Sequence, residues 1–425
     1  MQRAAPPEQR KPATSWRFIR SEGGMVGFGF LHALGSGFGQ TFFVSLFVPH
    51  MLASLGWERT AFSAAYAGAT VGSALLLPWL GRAIDVMPLG RFSSFVALGL
   101  AAACTGLGVA QSAVGVLLSL LAVRLCGQGL MSHVSASATA RHFSRARGKA
   151  LSVASLGHPF SEILYPGLAT AAIAQWGWRN TWLAAAVLVL VVVGPLGQLL
   201  LYVQRHREHA GLALEQQARP ADPETHARPS WTRRQVFRDR HTWALLPLLH
   251  TPSFVLTGLF FHQLALADAR GWSHSWMAAS FTAFGLFQAV SAFGVGPLID
   301  RLGAASVLRL HLLPLGLGVA LVALGQSPYW APVYLGLAGL TMGSGGAART
   351  AFFAEAFGVA HFGAIRAAFS MISVLATAAA PPVFGWLLDA DFSFGTLLWL
   401  SSGLLVAASG LGSLAIERWR ADMPA

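Results

Sequence analysis

Twelve apolar runs, each about 20 residues long, constrain this chain more than any other feature. They lie near 26–48, 60–80, 92–111, 114–136, 150–173, 181–203, 242–264, 276–297, 304–325, 330–352, 364–387 and 396–416. As a helix, a run of that length crosses the ~30 Å hydrocarbon layer of a bilayer. Hydrophobic residues make up 54% of the 425 and charged residues only 11%, where a water-soluble chain carries ~25% charged. That leaves too little polar surface for a soluble fold. Strands of a membrane barrel would alternate apolar and polar residues, which these runs do not. The expected fold class is an all-α integral membrane protein.

The residues between the runs give the orientation. A formal charge of +12 on a soluble protein would suggest nucleic acid, but here the basic residues sit in short loops between spans. Arg82, Arg91, the Arg141–Lys149 cluster, Arg301, Arg366, Arg418 and Arg420 fall on one side. Arg59, Arg179 and Arg270 fall on the other, among Glu58, Asp268, Asp389 and Asp391. The positive-inside rule then places both termini in the cytoplasm. Residues 1–25 read as a cytoplasmic tail without the compact apolar core of a cleavable signal. Residues 26–203 and 241–417 read as two six-helix bundles, 204–240 as a polar cytoplasmic linker and 418–425 as a C-terminal tail. Cys104 and Cys126 both lie within apolar runs, which argues against a disulfide framework or a metal site. The glycine-rich stretch Gly343–Gly346 lacks the strand context of a phosphate loop, so neither a cofactor nor an enzyme activity is expected.

The two halves repeat. Gly81-Arg-Ala-Ile-Asp85 closes the second run and Gly296-Pro-Leu-Ile-Asp300 the eighth, an offset of 215 (300 − 85). The same offset carries Pro166 to Pro381, Ser155 to Ser370, His158 to Ser373 and Glu162 to Thr377. A parallel repeat of six-helix halves is the architecture of transporters whose site lies between the halves near mid-membrane.

Gly296-Pro-Leu-Ile-Asp300-Arg301-Leu-Gly303 resembles the loop signature of the major facilitator superfamily. That resemblance implies twelve transmembrane helices in two pseudo-symmetric six-helix bundles, with loop acids and bases that lock neighbouring helix ends. It makes Asp85, Arg91, Asp300, Arg301 and Arg147 the gating candidates. The first copy departs from the signature after Asp85, which puts the usual Asp–Arg pairing in doubt there. Gly56-Trp-Glu-Arg-Thr60, Phe143-Ser-Arg-Ala-Arg147-Gly148 and Gly177-Trp178-Arg179 are similar to the monocarboxylate-porter branch, which includes oxalate/formate-type bacterial members. So are Phe357-Gly358, His361-Phe362-Gly363 and Pro381-Pro382. Two residues that bind carboxylates in that branch are missing. Ala292 stands where its helix-eight Arg would be, and the second half holds no lysine.

Ionisable groups inside spans face a cavity or a partner. Ser155, His158, Glu162 and Tyr165 follow at spacings of 3, 4 and 3 and would share one face of helix five. A carboxyl at Glu162, away from water, suits a proton carrier, with His158 beside it. Arg124 is the first candidate for an anionic substrate, with Gln128 on its face at i+4; a permanent Arg124–Glu162 strut is the structural alternative. His133 would lie about 180° from Arg124 at 100° per residue. Arg349 either binds an anion, snorkels or pairs with Glu355. His32, Ser36 and Gln40 form a polar stripe on helix one, with Gln40 the cavity candidate, and Ser373 and Thr377 form the uncharged counterpart face on helix eleven. Tyr66 and His262 are weaker candidates.

These expectations converge on a proton-coupled, alternating-access transporter of a small organic anion such as a monocarboxylate. It would act as a monomer in the cytoplasmic membrane of a bacterium, its partners being substrate, protons and lipid. Efflux of an amphipathic drug or metabolite and a non-transporting sensor are the alternatives.

Overall fold

The structure, a computed structural model, describes residues 15–143, 147–209, 230–358 and 361–421. Residues 1–14 of the expected tail, 210–229 of the expected linker, Arg145 of the basic turn and 422–425 lie outside the described residues. Helix α1 (Ser15–Gly35) begins within the expected tail, bends by 44° through short turns and continues to Leu55. Then follow α2 (Arg59–Gly81), α3 (Leu89–Val109), α4 (Ala113–His142), α5 (147–176) and α6 (178–209). The second half contains α7 (Arg240–Phe261, extended by Gln263–Arg270), α8 (His274–Leu302), α9 (Ala304–Leu324), α10 (Trp330–Phe357), α11 (Phe362–Asp389) and α12 (Phe394–Ala421).

By length and apolar composition, 9 described helices can cross a membrane, or 10 with the bent α1. The segment Arg147–Glu208 counts there as one, but it breaks at Gly177 (φ 77°, ψ 163°) into α5 and α6. Helix α10 makes the twelfth, its middle softened by Gly343-Ser-Gly-Gly346. A few helix starts carry side-chain caps. The Ser112 hydroxyl accepts from Gly115 N, and Ser273 accepts from Trp276 N. Gly56, with φ at 64°, ends α1 in the left-handed conformation that glycine adopts without strain. Large apolar side chains on α3 (Phe95), α6 (Val191), α9 (Leu317) and α12 (Val406) are exposed. On a soluble protein that would be an association surface; here it is the lipid-facing belt.

Close backbone packing builds each half and joins the two. On α10, a Cβ at Gly339 or Gly343 would stand 2.3 Å from the carbonyl oxygen of Phe284 or Gln288 on α8. Between halves, α5 packs on α8 and α2 on α11. Gly285 lets α8 approach Pro159 and Ile163 of α5, and Gly385 lets α11 approach Thr60 and Ser63 of α2.

The polar and aromatic contacts between the halves gather at the face opposite the chain ends. Thr60 N and Oγ1 donate to Asp389 Oδ2 at 3.0 and 2.5 Å, and Arg59 stands 3.6 Å from the same carboxylate. Gln263 Nε2 donates to Phe42 O and Ser45 Oγ (2.9 and 2.7 Å), while Phe261 packs on Tyr66 and Phe62. Toward the other face, which carries the helix ends nearest both termini, the same seams are exposed. Arg147, Lys149, Ser152 and Ser155 on α5 and Gly363, Arg366 and Ser370 on α11 reach solvent. The halves are thus drawn together at one face and apart at the terminal face.

Asp389 is one of the acceptors across this seam. Asp389→Asn weakens an exposed, charge-assisted contact by roughly 1 kcal/mol, about fivefold in the closing equilibrium. With Cys104 and Cys126 replaced, a cysteine introduced by Phe62→Cys should then react about fivefold faster with an impermeant maleimide. An unchanged rate would mean that Asp389 does not hold the seam.

Candidate functional site

The centre of the first half is a turn of α1 lodged in a widened stretch of α4. Gly35, Gly37 and Gly39 let the α1 backbone break, and α4 winds as a π-helix from Arg124 to Met131. Gly39 and Gly127 meet backbone to backbone, and a Cβ on Gly39 would stand 2.3 Å from Gln128 N. The break puts the Gly39 carbonyl where Arg124 reaches it. Arg124 donates from one terminal nitrogen to Gly39 O at 3.0 Å and Thr41 Oγ1 at 3.3 Å, with its guanidinium 5.0 Å from the Tyr66 ring centroid. Tyr66 OH donates to the same Thr41 hydroxyl at 3.0 Å. Arg124 is only 2% exposed, and its Nε has no partner.

Two expectations are corrected here. Among the described residues Arg124 forms no ion pair with Glu162; one of its terminal nitrogens instead bonds backbone and hydroxyl oxygens of the α1 turn. Gln40 leaves the helix-one stripe, because it caps the next short helix in an extended conformation (φ −79°, ψ 152°). Gln128 is half-buried in the π-helical stretch. His133 points elsewhere, its Nε2 lying 3.2 Å from Gly81 O.

Most of the α5 stripe holds. A turn at Leu156 separates exposed Ser155, but His158, Glu162 and Tyr165 remain in one continuous helix. His158 Nδ1 lies 3.2 Å from Ser36 Oγ of α1. Tyr165 stacks on Phe38 at 4.6 Å between centroids. Between these two anchors, Glu162 is half-buried and its Oε2 is buried without a hydrogen-bond partner. Helix α5 also forms the seam with α8, so the carboxyl stands beside a junction between the halves.

In the second half the same contact appears with its residues exchanged. His250 Nδ1 of α7 lies 2.9 Å from Ser373 Oγ of α11, and Ser373 is the repeat position of His158 (158 + 215 = 373). His250 stands one place before the repeat position of Ser36 (36 + 215 = 251). The sequence reading missed His250. The offset would have found it, given one residue of slip. His250 lines a cavity of about 200 Å³ with Arg349, Arg366, Ser370 and Ser373. Arg349 donates to Gly345 O and Leu249 O at 3.2 and 3.3 Å, and among the described residues it does not pair with Glu355. Thr377 donates to Val374 O of its own helix.

The gating candidates separate. Asp85 pairs with Arg141 at the end of α4, and Arg141 also donates to Ile84 O at 3.1 Å. Arg91 is exposed and is not the partner. Arg147 Nε donates to Phe143 O at 3.0 Å, and Asp300 and Arg301 lie exposed at the end of α8.

Residues 29–281 match the family model described as Major Facilitator Superfamily. No curated protein sequence matches the chain. Among solved structures, a bacterial homolog of the human lysosomal transporter Spinster, in an inward-facing and occupied conformation, aligns with a TM-score of 0.70 at 13% identity. The alignment covers 97% of this chain and 100% of that one. A mutant of the nucleoside transporter NupG aligns at 0.70 and 11% identity, over 93% of this chain and 99% of that one. Unmutated NupG aligns at 0.67 and 11% identity over the same shares.

Proposed function

We propose, because this chain belongs to the Major Facilitator Superfamily, that it is a secondary active transporter working by alternating access, coupled to protons and carrying a small organic anion such as a monocarboxylate. The observation that carries this reading is the buried, unpartnered Oε2 of Glu162 on α5 beside a junction between the halves. A carboxylate in that place would hold an uncompensated charge, and a proton is the smallest partner that removes it. Rocking about the α5–α8 seam would change what surrounds Glu162 and so couple its proton to the direction in which the cavity opens. His158, one turn earlier and held by Ser36, is the adjoining proton acceptor on that face. With both termini in the cytoplasm, the open terminal face would be the cytoplasmic one. Arg124 we assign to holding the α1 turn, since one terminal nitrogen of its guanidinium bonds Gly39 O and Thr41 Oγ1 there.

The test is flux in proteoliposomes, with a panel of labelled mono- and dicarboxylates. An imposed pH gradient should drive accumulation of at least one of them, and a protonophore should collapse it. Accumulation of the panel that ignores both the gradient and the protonophore would remove the coupling. Movement of uncharged or cationic solutes alone would remove the anion.

A further inference from the structure

The cavity in the second half is lined by two arginines and a histidine, with no acidic side chain among its lining residues. Arg349, Arg366 and His250 line this one small space together. Among the described residues, neither arginine forms an ion pair. His250 is 6% exposed, and with Nδ1 against Ser373 its buried Nε2 is left without any partner. Like charges in one small space, together with an unpartnered imidazole nitrogen, describe a site completed by an anion. The cavity is small, about 200 Å³. Helix α10 supplies Arg349, the first turns of α11 supply Arg366, and α7 supplies His250. Ser370 and Arg366 are solvent-exposed, so the site opens toward the terminal face.

We propose that this cavity, built by Arg349, Arg366 and His250, is the binding subsite for the oxyanion group of a small soluble substrate. This deepens the transport reading and rests on it. It places the anion in the second half while the proton group, Glu162, stays in the first. The mirrored contacts, Ser36 with His158 and His250 with Ser373, then flank the two sites at repeat-related positions. Arg349 and Arg366 supply charge, and His250 Nε2 supplies the hydrogen bond that fixes the oxyanion's orientation.

Binding of oxalate, acetate and inorganic phosphate to the purified full chain in neutral phosphatidylcholine nanodiscs tests this, by titration calorimetry with no gradient present. Oxalate or acetate should bind, and Arg366→Gln should weaken it by about tenfold or more, as loss of a charge-assisted contact implies. Arg366→Lys should restore part of the loss, and Arg309→Gln, whose side chain pairs with Glu417 elsewhere, should change affinity less than about twofold. Equal affinity in Arg366→Gln and Arg349→Gln overturns the proposal, as does a parent protein that binds none of the three anions. Phosphatidylglycerol nanodiscs separate a lipid headgroup from a soluble anion: competition by that lipid greater than expected from surface charge overturns the soluble-substrate assignment. Because no gradient is used, a protein that moves anions without protons would fail the flux test and still pass this one.

Discussion

Glu162→Gln is expected to reduce gradient-driven accumulation from about tenfold per pH unit to none, while downhill exchange of the same anion continues. One pH unit across a membrane stores about 1.4 kcal/mol per proton, which is a tenfold concentration ratio for one-to-one coupling. Glutamine matches the shape of glutamic acid and keeps the packing between the His158–Ser36 contact and the Tyr165–Phe38 stack. It cannot exchange a proton, so the rocking motion would proceed uncoupled. The folded protein should be about as stable, because protonated Glu162 and glutamine are both uncharged and nearly the same volume, and either leaves one polar atom unpartnered. Stability and counterflow therefore act as controls: unchanged counterflow with lost accumulation is specific to coupling. Accumulation in Glu162→Gln equal to that of the parent at every pH would assign the coupling to another group.

Much of the fold was legible because lipid imposes a length rule on every span. The apolar runs and the Gly296–Gly303 signature each pointed to the observed twelve-helix class, whereas Arg141 as the partner of Asp85 was not read from the sequence. Glu162 stood out for a related reason: carboxyls inside spans are rare enough to notice singly. What stayed hidden was backbone. His32, Ser36 and Gln40 read as one continuous stripe, because polarity alone does not show that Gly35, Gly37 and Gly39 let the chain leave the helix. Once it does, Arg124 meets a carbonyl oxygen that no side-chain pattern encodes. His250 was hidden differently. Its contact with Ser373 repeats that of His158 with Ser36, but with histidine and serine exchanged between the helices and a slip of one residue, so position-by-position matching passed over it.

The α1 turn is also where the largest effect on stability is expected. A methyl group at Gly39 would stand 2.3 Å from Gln128 N, 2.6 Å from Val123 O and 2.9 Å from the Gly127 carbonyl carbon. All three are backbone atoms, so no side-chain rotation makes room, and Gly39→Ala must displace either the turn or α4. Overpacking of this kind costs about 1–3 kcal/mol. Displacing the turn also moves the Gly39 carbonyl off Arg124, a buried guanidinium that already has one unpartnered nitrogen, at a further ~1–3 kcal/mol. Gly39→Ala should therefore lower thermal stability sharply. By contrast Gly363→Ala, on the exposed first turn of α11 with nothing within 4 Å of its added methyl, should be neutral or slightly stabilising. If Arg124 holds the turn, the two sites share one interaction. Arg124→Met and Gly39→Ala should then be non-additive in a double-mutant cycle by about 0.5–3 kcal/mol. Additive losses, with Arg124→Met also abolishing anion binding, would return Arg124 to the substrate and leave the turn supported by glycine packing alone.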